Sequence, residues 1–365
     1  MKRLSFIIAA LLLLFSCSAY YTEGDYFFIQ SGGADMPVWV KGNTSSTTAI
    51  IYLHGGPGDG CIHFSLVPQF FIEDDYMVVY WDQRHAGQSQ GNPDINASKM
   101  DNFVADTDLV IEAVKLRHPN LTRIFLLGNS WGTAVGAAYL VHGDDYAGRQ
   151  AKIAGFISTF GTCDYTLSYR HAAPRITAYA DVQIASGIDT AYWDECKSFY
   201  MNTPSLKDAA DLREHTGYVI RSGGYSVDES AAPSPDIHIL AFALASPVAL
   251  FPLLLTNGAN DTSEDFIGWL VTDDSLDAEL ARLTVPLLVV SGRKDLMAGW
   301  QAGLSLYLGT GDIDTSVSSY ETGTEWTDGD RTFMILEDTA HGSFGSSEDI
   351  TAYQAGIQNF IAGYE

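Results

Sequence analysis

The 365-residue sequence predicts an α/β protein with a mostly parallel central sheet, flanking helices and an inserted, mainly helical cap domain. Two observations lead to this fold class. Short runs rich in β-branched and aromatic residues alternate with helical patterns, an order typical of parallel sheets. These runs are also almost continuously apolar, as expected for strands that helices cover on both faces.

Six apolar runs are interpreted as strands of this sheet. Their β-branched and aromatic content and their shortness, five to seven residues each, favour strands over helices. The wide intervals between them leave room for helical connections. The six predicted strands are 48–53, 76–81, 123–127, 152–158, 286–291 and 332–336.

Three stretches beside these runs carry helical patterns. The stretch 131–142 is rich in small residues, and the other two have apolar side chains at helical spacing. We therefore expect helices that pack one face against the sheet. The apolar positions are Phe103, Val110, Ile111 and Val114 in one stretch, and Tyr353, Ile357, Phe360 and Ile361 in the stretch that begins at Asp349.

The strand pattern disappears from about residue 163 to residue 277, where helical segments, glycine-rich turns and charges take over. We interpret this region as a cap over the carboxyl ends of the strands, where such sheets bind ligands. The predicted plan is a signal peptide at 1–16, a lead-in at 17–36, a first core part at 37–161, the cap insertion at 162–278 and a second core part at 279–365.

The amino terminus has the pattern of an export signal. Lys2 and Arg3 precede the apolar run 6–15, which is too short to span a bilayer. Residues 14–17 resemble a bacterial lipobox, which predicts lipidation of Cys17, export and attachment to a bacterial membrane through the lipid alone. Ordinary secretory cleavage and a retained anchor helix are the alternatives. Loss of residues 1–16 would take the net charge from −25 to −27.

The composition excludes several classes of protein. With 20 basic and 45 acidic residues, the chain lacks the positive surface that a nucleic-acid binder needs. A hydrophobic content of 46% argues against disorder. Metal clusters, Walker loops and dinucleotide fingerprints are absent from the sequence, so we expect no cofactor. A Cys163–Cys196 bridge is possible, although buried free thiols are favoured. The oligomeric state is left open.

Two glycine-rich motifs follow predicted strands. Residues 128–132 read Gly-Asn-Ser-Trp-Gly between a strand and a helix, the context in which a sharp turn exposes a nucleophilic serine, here Ser130. Residues 54–58 read His-Gly-Gly-Pro-Gly, and such a loop can turn its N–H groups towards a developing oxyanion. We therefore expect the amides of Gly56 and Trp131 to form an oxyanion hole.

A nucleophilic serine needs a base and a group that orients the base, and on this type of sheet they follow in the order serine, acid, histidine. Asp295 follows the strand 286–291 and is the expected acid. His341 follows the strand 332–336 and is the one histidine after Asp295 in the sequence. Ser130 would then be the nucleophile and His341 the base. Alternative candidates for the acid are Asp273, Asp274 and Asp277.

At these residues the sequence resembles the proline iminopeptidase-like branch of the α/β-hydrolase superfamily. Gln88 stands where that branch usually has arginine, and Asn129 where it usually has glycine. The resemblance covers roughly residues 37–160 and 285–360. The matching motifs are 54–58, 81–84 with Gly87 and Ser89, 128–132, 292–295 and 340–342.

The resemblance implies an enzyme that removes N-terminal residues, often proline, from peptides, with cap glutamates that hold the free amine. Glu195, Glu214 and Glu229 are the candidates for that role here. The leading prediction is thus a lipid-anchored serine hydrolase that cleaves short peptides or amino-acid amides. A carboxylesterase that acts on small esters and a non-catalytic binding lipoprotein on the same fold are the alternatives.

Overall fold

The computed structural model describes residues 24–62, 71–94, 99–227 and 276–365. The predicted signal peptide, Cys17, Glu229, Asp273 and Asp274 lie outside these residues. The chain divides into two compact units. Of the described residues, 24–62, 71–94 and 99–126 belong to the first unit, and 127–227 and 276–365 belong to the second.

Within the first unit the strand order is β1-β2-β4-β3, and a short β5 pairs with β2. The pairs β1–β2 and β2–β4 are antiparallel, whereas β3 and β4 are parallel. Gly32 and Gly33 form the turn between β1 and β2 with φ angles of 55° and 86°, a region that glycine tolerates best. The strands are β1 (Asp25–Ser31), β2 (Ala34–Gly42), β3 (Thr48–Leu53), β4 (Met77–Trp81) and β5 (Gln90–Gly91).

Helix α1 (Met100–Arg117) completes the described part of the first unit. Its predicted apolar face is buried, as the spacing of those residues requires. Arg117, in its last turn, donates two hydrogen bonds of 2.6 Å to the Asp25 carboxylate at the start of β1. The end of the helix is therefore tied to the edge strand of its own unit.

The chain passes from the first unit to the second within β6 (Arg123–Asn129). Along the second unit the strand order is β6-β7-β8-β10-β9, with β8 parallel to both β7 and β10. The remaining strands are β7 (Gly155–Thr159), β8 (Leu287–Gly292), β9 (Glu325–Asp328) and β10 (Arg331–Leu336). The α-helices of the second unit that lie outside the insertion are, among the described residues, α2 (Trp131–Val141), α3 (Tyr146–Gln150), α7 (Trp300–Leu308) and α8 (Ser347–Gly363).

The described part of the predicted cap is helical, and no strand occurs in its residues 163–227. It contains α4 (Tyr165–Ala185), α5 (Thr190–Asn202) and α6 (Ala209–Arg221). The side chains of Asp164 and Asp208 accept backbone N–H groups at the starts of α4 and α6, which caps both helices. The helices enclose an apolar core of Tyr169, Ala172, Ile176, Ala180, Trp193, Cys196, Phe199, Leu206, Tyr218 and Val219, joined by Leu296.

The prediction of an α/β fold with mostly parallel strands is confirmed, and all six predicted strands are present as β3, β4, β6, β7, β8 and β10. Four strands were not predicted, namely β1, β2, β5 and β9. The strand β2 crosses residue 36, where the predicted lead-in ends. The cysteines Cys61, Cys163 and Cys196 are free and buried. Within the described residues, no helix is both long and apolar enough to cross a membrane.

Candidate active site

Ser130 lies at the sharp turn between β6 and α2. It occupies the N-cap position of α2, with φ 51° and ψ −118°, a backbone conformation that costs energy for any residue other than glycine. Its N–H donates to the Thr159 carbonyl at 3.0 Å, and its own carbonyl accepts from Thr133 N–H at 2.9 Å. Hydrogen bonds to the neighbouring strand β7 and to the first turn of α2 therefore fix the backbone of Ser130.

Close packing around this turn accounts for its glycines. A Cβ atom on Gly128 would lie 2.6 Å from the carbonyl carbon of Gly132, and one on Gly161 would lie 2.8 Å from the Ser130 carbonyl oxygen. Real Cβ atoms are not found so close to backbone atoms, so both positions require glycine. Gly128 therefore lets β6 approach α2, and Gly161 lets the chain after β7 approach the turn at Ser130.

The structure brings Ser130, His341 and Asp295 into one hydrogen-bonded chain. Ser130 Oγ lies 3.0 Å from His341 Nε2, and His341 Nδ1 lies 2.9 Å from Asp295 Oδ2. When the imidazole is neutral and its Nδ1–H donates to the carboxylate, Nε2 is free to accept the serine hydroxyl proton. The His341 side chain is 8% exposed, and Asp295 is fully buried.

Asp295 lies in the loop after β8, and its second carboxylate oxygen is also occupied. Oδ1 accepts the N–H groups of Met297 at 2.8 Å and Ala298 at 2.9 Å. A buried carboxylate is costly without such donors, so the loop is built around its charge. Of the alternative acids, Asp277 has its carboxylate beside Gly311, whereas the partner of His341 Nδ1 is Asp295.

Asp349, at the start of α8, orders the backbone just before His341. Its Oδ2 accepts the Thr339 hydroxyl at 2.6 Å and the Asp338 N–H at 2.8 Å. The N–H of Lys294 donates to the Thr339 carbonyl at 3.0 Å, which joins the loop of Asp295 to the loop of His341. From the sequence, Asp349 was predicted only as the beginning of a helix.

The 54–58 loop belongs to the first unit, where His54 supports it. His54 is buried; its Nδ1–H donates to the Gly55 carbonyl at 2.6 Å, and its Nε2 accepts the Gln83 N–H at 3.0 Å. Burial lowers the pKa of His54, so the imidazole stays neutral in this arrangement. Gly56 has a φ of 118°, and a Cβ there would lie 2.6 Å from the Gly58 nitrogen.

Asp82, in the matched motif 81–84, fixes the backbone that follows the same loop. Its carboxylate accepts N–H groups from Cys61 at 2.6 Å, Ile62 at 3.0 Å and Gln88 at 2.7 Å. The motif's Arg84 forms a buried ion pair with Asp106. These residues support the loop of the first unit and take no part in the hydrogen-bonded chain at Ser130.

Three other predicted site residues, Trp131, Glu195 and Glu214, also lie in the second unit. Trp131 is buried as the first residue of α2, so its N–H lies at the positive end of the helix dipole. Glu195 and Glu214 are exposed on α5 and α6, and the Glu214 carboxylate accepts a hydrogen bond from Tyr218 at 2.9 Å. The oxyanion role of Gly56 and Trp131 and the amine-binding role of the glutamates stay predictions. Among the described residues, no group of three or more His, Cys, Asp or Glu side chains could hold a metal ion.

Comparisons with known proteins agree with this architecture. A family model described as serine aminopeptidase, S33, matches residues 45–183. A proline iminopeptidase of Heyndrickxia coagulans is 34% identical over 119 residues, which are 33% of this chain and 38% of that relative. The chain spans between a quarter and two fifths of the length of the curated relatives that it matches at 30% identity or above.

Solved structures match over nearly the whole chain. A proline iminopeptidase from Mycobacterium smegmatis covers 93% of this chain and 98% of its own, with a TM-score of 0.56 and 18% identity. An esterase from Rhodococcus covers 94% and 100%, with a TM-score of 0.54 and 16% identity. At such identities the structural likeness defines the fold, and the fold is that of the α/β-hydrolases. The curated relatives include proline iminopeptidases and a probable aminopeptidase, and the chain is similar to them over a quarter to a third of its length.

Proposed function

We propose that the chain is a serine hydrolase that cleaves N-terminal residues from short peptides or amino-acid amides through an acyl-enzyme. One observation carries the proposal, namely the continuous hydrogen-bonded chain from Ser130 Oγ through the His341 imidazole to the buried Asp295 carboxylate. The same three residue types in the same order perform nucleophilic catalysis on this kind of sheet.

In the proposed mechanism Ser130 Oγ attacks the scissile carbonyl carbon while His341 Nε2 takes the hydroxyl proton. The tetrahedral oxyanion is stabilised by the N–H of Trp131, for which we propose Gly56 as the partner donor. His341 then gives its proton to the leaving amine, and the acyl group stays on Ser130. Water, deprotonated by His341, releases the acyl group and regenerates the serine.

Asp295 has two roles in this mechanism. Through Oδ2 it keeps the imidazole proton on Nδ1, and it stabilises the imidazolium that forms when Nε2 takes the serine proton. Its other oxygen, Oδ1, accepts the N–H groups of Met297 and Ala298, which fixes the orientation of the carboxylate. In such triads the acid orients the base and does not itself accept a proton.

The proposed preference for a free N-terminus rests on the sequence relatives, whose names are those of N-terminal peptidases. A buried ammonium requires a carboxylate partner. Glu195, Glu214 and Glu229 are the proposed partners, and each can be replaced by glutamine. Loss of the preference for a free amine in one of these variants would identify the ligand.

The carboxylesterase alternative has one observation in its favour. Glu195 and Glu214 are exposed, and the Glu214 carboxylate already accepts a hydrogen bond from Tyr218. An ester substrate has no free amine to bind. It would therefore be compatible with a site in which Glu195 and Glu214 are surface residues of the cap that do not contact the substrate.

The proposal is tested with protein that lacks residues 1–17. Fluorogenic alanine and proline amides, their N-acetylated forms and short-chain esters serve as substrates, and a fluorophosphonate probe labels the nucleophile. We expect turnover of free-amine amides, loss of turnover and labelling in Ser130→Ala, and no loss in Ser198→Ala, an exposed serine on α5. Turnover of esters alone would favour the esterase, and failure to label Ser130 would refute the serine mechanism.

We also propose that the protein is exported and anchored by a lipid on Cys17. The basic residues before the apolar run 6–15 and the lipobox-like residues 14–17 support this proposal. Expression in bacteria with a radiolabelled fatty acid should label the full chain and leave Cys17→Ala unlabelled. Equal labelling of both would contradict lipidation at this cysteine.

A further inference from the structure

Residues 224–227 follow α6 and run beside the loops of Asp295 and His341. The Gly224 carbonyl accepts the Leu296 N–H at 3.1 Å and the His341 N–H at 3.5 Å, so one oxygen bridges the two loops. The Tyr225 carbonyl accepts the Gly342 N–H at 2.7 Å. The segment therefore contacts the neighbour of the acid, the histidine itself and the residue after it.

Side-chain bonds continue this contact. Ser343 Oγ accepts the Val227 N–H at 2.9 Å and lies 3.1 Å from Ser226 Oγ. On the other side, Leu296 inserts its side chain into the apolar core that α4–α6 enclose. The loops of Asp295 and His341 therefore contact the insertion as well as following strands of the sheet.

Two glycines make this approach possible. A Cβ atom on Gly224 would lie 2.5 Å from the Cβ of Leu296, and one on Gly342 would lie 2.8 Å from Cε1 of the Tyr225 ring. Neither distance is tolerated between real side chains. The glycine at position 342, directly after His341, therefore leaves the space that the Tyr225 ring occupies.

The Tyr225 ring also faces the imidazole. Its centroid lies 5.5 Å from that of His341, at an interplanar angle of 45°. Aromatic pairs at such distances attract, and a protonated imidazole next to an aromatic ring gains a cation–π contribution. The ring therefore restricts the imidazole on the side of the insertion and favours the imidazolium that forms during acylation.

We infer that Tyr225 is a positioning residue of the Ser130–His341–Asp295 site, and that residues 224–227 transmit the position of the insertion to both of its loops. The inference rests on the proposed function, since it assigns Tyr225 an effect on the base of that mechanism. Tyr225 acts through His341 by holding the imidazole between Ser130 Oγ and the Asp295 carboxylate.

The first test compares Tyr225→Phe with Tyr225→Leu. The rate of Ser130 labelling by the fluorophosphonate and the kcat for a small amide are measured beside thermal unfolding. Because a misplaced base and a lost cation–π contact each slow acylation, we expect Tyr225→Leu to lower both rates by about 10- to 100-fold with little change in KM. Tyr225→Phe keeps the ring and should retain at least about half of each rate.

A second test addresses the backbone contact. Gly224→Ala forces Leu296 away from the segment and should slow labelling by about 10-fold or more. Gly217→Ala is the matched control, because Gly217 is exposed on α6 and its added Cβ would meet nothing within 4 Å. Its labelling rate should equal that of the unaltered protein.

Several results would overturn the inference. Equal labelling rates in Tyr225→Leu and the unaltered protein would exclude a positioning role for the ring. An equal loss in Tyr225→Phe and Tyr225→Leu would assign the effect to the hydroxyl group instead. A lack of labelling in the unaltered protein would refute the proposed function itself, so the two failures are distinguishable.

Discussion

Replacement of Asp295 by asparagine exchanges one oxygen of the proposed triad for an amide nitrogen. The asparagine oxygen can still accept the N–H groups of Met297 and Ala298, which now bond to Oδ1 at 2.8 and 2.9 Å. The amide NH₂ then faces His341 Nδ1, which must become an acceptor. The imidazole proton moves to Nε2, and Nε2 can no longer take the proton of Ser130.

The size of the effect follows from this change of tautomer. The same substitution in a serine protease triad lowers kcat by roughly 10⁴, which corresponds to about 5 kcal/mol of activation free energy. The retained bonds to the two backbone N–H groups limit the loss of folding stability to about 1 kcal/mol. We therefore expect Asp295→Asn to be folded and almost inactive, whereas Asp295→Ala also leaves these N–H groups without their acceptor and unfolds more readily.

The assay measures the rate of fluorophosphonate labelling, the kcat for an alanine amide and the urea unfolding midpoint. Asp277→Asn is the control. Asp277 is an alternative candidate for the acid from the sequence, and its carboxylate lies beside Gly311. Its rates should stay within about 3-fold of the unaltered protein. Asp295 is not the acid of the site if Asp295→Asn is labelled at a rate within about 10-fold of the unaltered protein, or if Asp277→Asn loses more activity than Asp295→Asn.

Three further predictions concern stability and are checked by urea unfolding. Gly128→Ala places a Cβ against backbone atoms and should lower the free energy of unfolding by about 2 kcal/mol or more. Gly217 is exposed in a helix, so Gly217→Ala should raise the free energy of unfolding by about 0.5–1 kcal/mol. Similar effects of the two substitutions would show that close packing does not require glycine at position 128. Arg84→Met leaves the buried Asp106 carboxylate without its partner and should lower the free energy of unfolding by about 3–5 kcal/mol. The double variant Arg84→Met, Asp106→Asn should recover part of this loss, because the unpaired charge is then removed. If nothing is recovered, the buried charge is not the cause of the loss. Burial lowers the pKa of His215 from 6.5 to about 4, so as the pH falls the unfolded chain binds a proton at this residue before the folded chain does. The free energy of unfolding should therefore be complete above pH 6.5 and fall by about 3 kcal/mol as the pH falls towards 4. His215→Gln should flatten this part of the plot of unfolding free energy against pH, and an unchanged plot would contradict the assignment.

The sequence predicted six strands that are largely buried, and it missed the edge strands and the interior strand β2. In β4 and β8 every residue is buried, so the apolar run is continuous and easily recognised. The edge strand β9 is almost entirely exposed and has no apolar pattern. The strand β2 is buried, but it contains Asp35 and Pro37, residues that weaken any strand prediction.

The residues of the proposed triad were predictable because each follows a buried strand and their order along the chain is constrained. Ser130 follows β6, Asp295 follows β8 and His341 follows β10, so three short local patterns were sufficient. The Tyr225 contact could not be predicted in this way. It depends on a non-local approach across more than 100 residues, and its neighbours have no apolar periodicity.

The bonds of residues 224–227 also matter for protein engineering. Helices such as α4–α6 are natural pieces to exchange between relatives when a different substrate range is wanted. A graft that replaces the chain beyond Gly224 would bring a foreign backbone against Leu296 and Gly342 and disturb the host's own loops. A chimera should therefore return to the host sequence after Arg221, so that the exchanged helices come from the donor and the contact with the host loops is native.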